Sequence, residues 1–230
     1  DGSGRKMQIK AVGCDSGGRA GVTANAYKFW RWLRRGPLDQ AETASPDAQA
    51  INSAFAGTEW QPDFHKRFIL LKGDARKDVP RVRITYPDSE RKDRHAGARG
   101  EIPVLHINTD IIKDKLNKML DRTDPHGGRI TFPAWLPDWF YAEMTAETRT
   151  AKGWENPRKL RNEAWDLMTY AIAVSLSRAV RIEAINWDAP PGWANEWFAN
   201  DLVSGGSDNI RFQSKQKGVI SLSELAEKLA

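Results

Sequence analysis

Residues 104–120 read VLHINTDIIKDKLNKML, and the change of period inside this stretch decides the fold class. The run VLHIN reads as a strand. From Ile111 onward Ile111, Ile112, Leu116, Met119 and Leu120 recur at helical steps, with Thr109 as the predicted N-cap. A strand passing directly into a helix is the building unit of an α/β sheet.

The flanking sequence extends the pattern. Towards the N-terminus, residues 8–14 (QIKAVGC) predict a buried strand entering a glycine turn at Asp15-Ser16-Gly17-Gly18. Residues 22–35 (VTANAYKFWRWLRR) predict a helix stopped by Gly36-Pro37. Strands are predicted over 67–72 and 82–86, the first closed by Gly73-Asp74. Towards the C-terminus, a short strand is predicted over 129–132 and helices over 139–150 and 162–182. The last is apolar around most of its circumference, which predicts burial against a sheet. Residues 38–63, rich in Ala, Asp, Ser, Glu and Gln with few β-branched residues, read as a partly helical insertion, and 88–100, with no apolar periodicity, as a mobile loop. Pro190-Pro191-Gly192 and Gly205-Gly206-Ser207 break the pattern, so 187–230 reads as an appendage to a domain spanning 1–186.

Composition narrows the class. Of 230 residues, 40% are hydrophobic and ten are tryptophan, enough for a folded core, while 28% are charged, enough for a solvated surface. Cys14 is the one cysteine, which excludes an intrachain disulfide and a multi-cysteine zinc site. No run approaches the roughly 18 to 20 apolar residues of a membrane span, and no signal segment opens the chain, so no membrane partner and a cytoplasmic setting are expected. The opening Asp1-Gly2-Ser3-Gly4 suggests a domain excised from a larger protein. A net charge of +5 and a pI near 9.3 are compatible with a polyanionic partner.

Ligands of α/β sheets collect at the carboxyl ends of strands. Asp15 and Asp74 stand at two predicted ends, and Asp110 follows a third. Asp166 lies on the apolar helix, where an unpaired carboxylate costs several kcal/mol, so it must reach a polar site or pair with a cation. Converging carboxylates bind hard divalent ions, and two ions about 4 Å apart activate water and stabilise the leaving oxygen of a phosphodiester. The same residues also admit a plain reading, in which Asp15 caps a turn, Asp74 is solvated, Asp110 caps its helix and Asp166 pairs with an arginine.

In chain order, Val12-Gly13-Cys14-Asp15-Ser16-Gly17-Gly18, Leu71-Lys72-Gly73, Ile107-Asn108-Thr109-Asp110 with Lys113-Asp114, Ile130-Thr131-Phe132-Pro133, Met144-Thr145-Ala146-Glu147 and Arg161-Asn162-Glu163-Ala164-Trp165-Asp166-Leu167 leading to Tyr170-Ala171 resemble the nuclease half of phage terminase large subunits of the lambda A-protein (GpA) type. The resemblance implies a ribonuclease-H-like fold, related to resolvases and integrases, whose acidic cluster binds two Mg²⁺ or Mn²⁺ ions and cuts concatemeric double-stranded DNA during packaging. It implies Asp15 and Asp166 as metal ligands, Asp74 or Asp110 as the middle acid, and Glu163 as either a participant or a helix cap. The implied partners are duplex DNA, the small terminase subunit, the portal protein and the ATPase domain of the same large subunit, in the host bacterial cytoplasm. No GxxxxGK[ST] loop is present, so ATP hydrolysis is not expected of this chain.

Arg31, Arg34, Arg35, Lys72, Lys113, Arg91, Lys92 and Arg94 are the candidate phosphate contacts. Trp135, Trp139, Trp187, Trp193 and Trp197 are expected in core or subunit contacts rather than stacked on bases. His65, His95, His106 and His126 show no ligand spacing. Two other functions remain open: a DNA-binding, portal-docking module with a vestigial acidic cluster, and a resolvase-like nuclease preferring branched DNA.

Overall fold

The computed structural model describes residues 4–18, 20–36, 63–74, 76–87, 100–124 and 129–205, together with Pro46 and Gln49. The insertion expected at 38–63 and the loop expected at 88–100 lie almost wholly outside these residues, as do Arg91, Lys92, Arg94, His95 and His126. In chain order the elements are β1 (Lys6–Met7), β2 (Val12–Asp15), α1 (Val22–Arg35), α2 (Phe64–Arg67), β3 (Phe68–Asp74), β4 (Val82–Thr85), β5 (Val104–Asn108), α3 (Thr109–Leu120), α4 (Asp138–Met144), β6 (Thr148–Thr150), β7 (Gly153–Glu155), α5 (Glu163–Leu176) and β8 (Val203–Ser204).

The chain divides into two units. In the smaller, β1 pairs antiparallel with β8, Gln8 donates its N–H to the Leu202 carbonyl at 2.8 Å, and Arg5 lies 4.6 Å over the Phe198 ring. Gln8, predicted in the first buried strand, therefore belongs elsewhere, and that strand begins at Val12.

The larger unit, residues 9–189, is built on a four-stranded sheet of order β2-β3-β5-β4. The first three strands are parallel and β4 is antiparallel, a mixed α/β sheet as predicted. Strand alternation sends successive side chains to opposite faces. Leu70 and Val104 join Trp30 of α1 on one face. Leu71, Leu105 and Ile107 join Ala173 of α5 on the other. Each such side chain contributes about 1.5–3 kcal/mol by leaving water.

The outer side of α5 presents Trp165 and Ile172 to Ile112 and Leu116 of α3. Contact with both a sheet and a helix explains the nearly all-round apolar character of this segment. The helix stops at Leu176, short of the predicted 182, because Ser177 turns extended and its hydroxyl accepts the Ala179 N–H.

Three other expectations are corrected. Asn108, not Thr109, caps α3, its side chain accepting the Ile111 N–H at 3.3 Å. Residues 129–132 form no strand: Phe132 packs edge-on against Phe140 and Tyr141, and Pro133 cannot donate to a ladder. The helix predicted over 139–150 ends at Met144, and the β-branched Thr148 and Thr150 enter a hairpin with β7. Among the described residues no helix is long and apolar enough to cross a membrane.

Glu183, in the one-turn helix Ile182–Ala184, ties the segment after α5 to the start of β4 and to α3. It accepts from Arg81 at 2.7 Å and Lys115 at 2.8 Å, and these hydrogen bonds, Arg81 first, pull its pKa down to about 2. A depressed folded-state pKa stabilises above the unfolded value of 4.5, and the contribution disappears as pH falls towards 2. The carboxylate is 45% exposed, so solvent screening keeps the contribution to about 1 kcal/mol or less. The melting-temperature gap between wild type and Glu183→Gln should therefore close over that acid range; a constant gap would contradict the assignment.

Candidate active site

Parity along the strands sorts the acidic residues. Gly13 and Asp15 share the α5 face of β2, and Asp15, at the carboxyl end of the strand, pairs in register with Leu71. On α5, Glu163 and Asp166 stand three residues apart, hence on one side of the helix. Asp15, Glu163, Asp166, Leu167 and Tyr170 line a cleft of about 490 Å³ between β2 and α5.

The cleft exists because the helix approaches β2 over a glycine. A Cβ on Gly13 would lie 2.6 Å from Val174 Cγ2 and 2.9 Å from Leu71 Cδ1. Gly13→Ala must push α5 away or displace Leu71, an overpacking cost of about 1–3 kcal/mol. The expected result is a lowered urea midpoint accompanied by lost activity, since Asp166 moves with the helix; unchanged stability would show that the interface yields freely.

Asp15 is held from two sides, accepting the Gly17 N–H at 2.8 Å on Oδ1 and the Tyr170 hydroxyl at 3.2 Å on Oδ2. Burial, followed by the negative charges of Asp15, Asp166 and Glu163, raises the Tyr170 pKa well above its usual value. One hydroxyl thus senses all three carboxylates.

Asp166 sits in a denser network. Lys113 Nζ lies 2.8 Å from Asp166 Oδ1 and donates to both oxygens of Glu147 at 2.8 and 2.9 Å. Asn162 Nδ2 donates to Glu147 Oε1 at 2.7 Å and Asp166 Oδ2 at 3.1 Å. Lys113 and Glu147 are nearly buried, with side chains 9% and 6% exposed. The cation predicted for Asp166 is therefore a lysine rather than an arginine. Lys113, predicted as a phosphate contact, has its ammonium held between these two carboxylates. Glu143 of α4 accepts the Ala164 N–H at 3.0 Å and so caps the start of α5, a role Asn162 leaves free.

Asp110 and Asp74 are not among the residues that line this cleft. Asp110 accepts the Trp154 N–H at 3.0 Å, and Gly153, at φ +136°, leaves no space for a Cβ against its carboxylate. It anchors the β6–β7 hairpin to α3. Asp74 lies three residues beyond the Asp15 register partner, about 10 Å along the strand, and points to the α1 face. There it meets Arg76 at 2.9 Å, Arg83 at 2.7 Å and His106 at 3.8 Å. The two guanidiniums, Arg76 first, hold its carboxyl far below the usual carboxylate range.

The predicted phosphate contacts among the described residues are dispersed. Arg31 and Arg34 bind Glu101 at 2.6 and 2.8 Å. Arg34 lines a different pocket with Phe68 and Pro103, at the amino ends of the parallel strands. Arg35 is exposed at the end of α1, and Lys72 is exposed on the Asp74 face. Trp135, Trp139 and Trp187 are exposed rather than in the core.

Glu147, Asn162 and Tyr170 are not singled out as site residues by sequence, and Lys113 is singled out there only as a phosphate contact. Tyr170 had a signal, being four residues from Asp166 on the same helical face. Among the described residues no three His, Cys, Asp or Glu side chains close into a metal-ligand set. The cleft is nevertheless lined by three carboxylates, the oxygen donors that hard divalent ions take.

Residues 1–187 match the family model described as terminase large subunit gpA, endonuclease domain. No curated protein and no solved structure matches the chain.

Proposed function

Because this chain belongs to the terminase large subunit gpA endonuclease-domain family, we propose that the cleft between β2 and α5 is its cutting site, a metal-dependent endonuclease centre for concatemeric double-stranded viral DNA. Membership carries a nuclease role in DNA packaging, with DNA and the packaging machinery as partners. The observation that carries the assignment to this cleft is the convergence of Asp15, Glu163 and Asp166 on one side of the sheet, at the carboxyl end of its first parallel strand.

In this proposal Asp15 and Asp166 are the principal ligands of two ions, Mg²⁺ or Mn²⁺, with Glu163 beside them. When bound, such ions polarise the phosphodiester and lower the pKa of a coordinated water. The protein's own part is to hold the ligands. Tyr170 and the Gly17 N–H fix Asp15, and Asn162 and Lys113 fix Asp166. Lys113 also offsets the repulsion between Asp166 and Glu147. Asp74 and Asp110 stand outside this set as partners of Arg83 and of the hairpin. The ribonuclease-H-like class, docking to the portal and small subunit, coupling to an ATPase domain and action in the host bacterial cytoplasm complete the proposal.

The test is nicking and linearisation of supercoiled plasmid in Mg²⁺, Mn²⁺ or EDTA. Cutting in either metal and none in EDTA is expected. No cutting by folded wild-type protein favours the docking-module alternative, and preference for branched over linear duplex favours the resolvase-like one.

A further inference from the structure

The cleft carries three carboxylates, and a duplex is a polyanion, so cations must stand nearby to bring the two together. Of those predicted from sequence, Lys113 is buried, and Arg31 and Arg34 are bound to Glu101 at the far end of the strands. The segment leading into α5 meets the requirement. Arg158, Lys159, Leu160 and Arg161 are all exposed. Among the described residues the Arg158 and Lys159 side chains have no carboxylate partner, while Arg161 keeps one 3.3 Å contact to Glu143.

This segment is built rather than loose. Asn156 Nδ2 donates to the Leu160 carbonyl at 2.6 Å, and the Leu160 N–H returns to Asn156 Oδ1 at 3.0 Å. The Lys159 N–H reaches the Asn156 carbonyl at 3.1 Å, with Lys159 in the left-handed region at φ 51°. A non-glycine residue in that region is strained and persists only where its surroundings hold it. Beside the cations, Trp139, Ala142, Glu143, Leu160 and Arg161 line a surface groove of about 460 Å³, with Trp139 59% exposed. Arg161 in the groove and Glu163 in the cleft are two residues apart, at most about 7 Å of chain.

We propose that Arg158, Lys159 and Arg161, with the exposed face of Trp139, form the duplex-binding surface that holds the DNA backbone against the cleft. The cations neutralise phosphates, and Trp139 lends a flat apolar face to the sugar edge. The braced loop continues directly into the helix that carries Glu163 and Asp166, so the grip on DNA and the acidic residues move as one body. The inference rests on the endonuclease reading for its purpose, but its measurement is separate.

The test is binding of a short fluorescent duplex to the full chain in EDTA, titrated from 50 to 200 mM KCl, for wild type, Arg158→Gln/Lys159→Gln, Trp139→Ala and a Lys118→Gln control. Each lost phosphate contact removes about 0.9 from the slope of log K against log salt, so the double variant is expected to lose about 1.8 and to bind at least about tenfold more weakly at 50 mM. Trp139→Ala is expected to weaken binding at every salt concentration with the slope unchanged, and Lys118→Gln to match wild type. An unchanged slope in the double variant overturns the surface, as does absence of wild-type binding at 50 mM. Wild type that binds with the expected slope but never cuts plasmid removes the endonuclease reading and leaves the surface standing. Wild type that cuts while the double variant keeps the full slope does the reverse.

Discussion

Asp15→Asn and Asp166→Asn should each reduce metal-dependent plasmid cutting by at least about 100-fold, the order of effect seen when one charge-stabilising group is removed from an active site, while leaving the protein folded. Asparagine preserves the shape and one acceptor oxygen. At position 15 it can still receive the Gly17 N–H, and the Tyr170 hydroxyl can turn to accept from the new amide. At position 166 the Lys113 ammonium retains both oxygens of Glu147. What is lost is negative charge facing the cleft, which hard divalent ions require. Circular dichroism and urea midpoints separate this outcome from unfolding. Asp74→Asn serves as the internal contrast: its carboxylate is committed to Arg76 and Arg83 on the other face of the sheet, so cutting should persist. Full activity in both the Asp15 and Asp166 variants would place the chemistry elsewhere.

Lys113→Met should be among the most destabilising single substitutions in the chain. The methionine fills the space of the lysine stem, so no large cavity opens. Glu147, however, is left nearly buried with Asn162 as its remaining partner among the described residues. Removing one member of a buried ion pair costs about 3–5 kcal/mol because the other charge stays desolvated. Replacing both partners should reverse most of this, so Lys113→Met/Glu147→Gln is expected to recover the greater part of the lost urea stability. Activity should fall in the single variant as well, since Asp166 loses its 2.8 Å contact. A loss below about 1 kcal/mol would mean that water reaches and screens the network.

Several elements were legible because their cause is local. The helix Val22–Arg35 has the predicted bounds: its apolar spacing is complete and Gly36, at φ 89°, terminates it. The strand at 104–108 and the helix that follows were equally plain. Residues 129–150 were not. There Phe132 prefers an aromatic cluster to a ladder, and Thr148 and Thr150 find a hairpin partner in β7, choices made by neighbours distant from any periodic window.

The candidate site divides along the same line. Sequence by itself determined the type of most elements, excluded an intrachain disulfide, and marked the acids at strand ends, Asp15, Asp74 and Asp110, with Asp166 on an apolar helix, because composition, period and the cost of a lone buried charge are properties of short segments. Only the tertiary structure decided which acids share a face. Asp15 and Asp74 both close parallel strands, yet register and alternation send them to opposite sides of the sheet. Lys113 looks like any basic helical residue until α3 packs on α5 and encloses it with Glu147 and Asp166. Charge reads the same in a sequence whether it will face solvent, DNA or another buried charge; packing assigns the partner, because the free energy of an ion depends on what surrounds it.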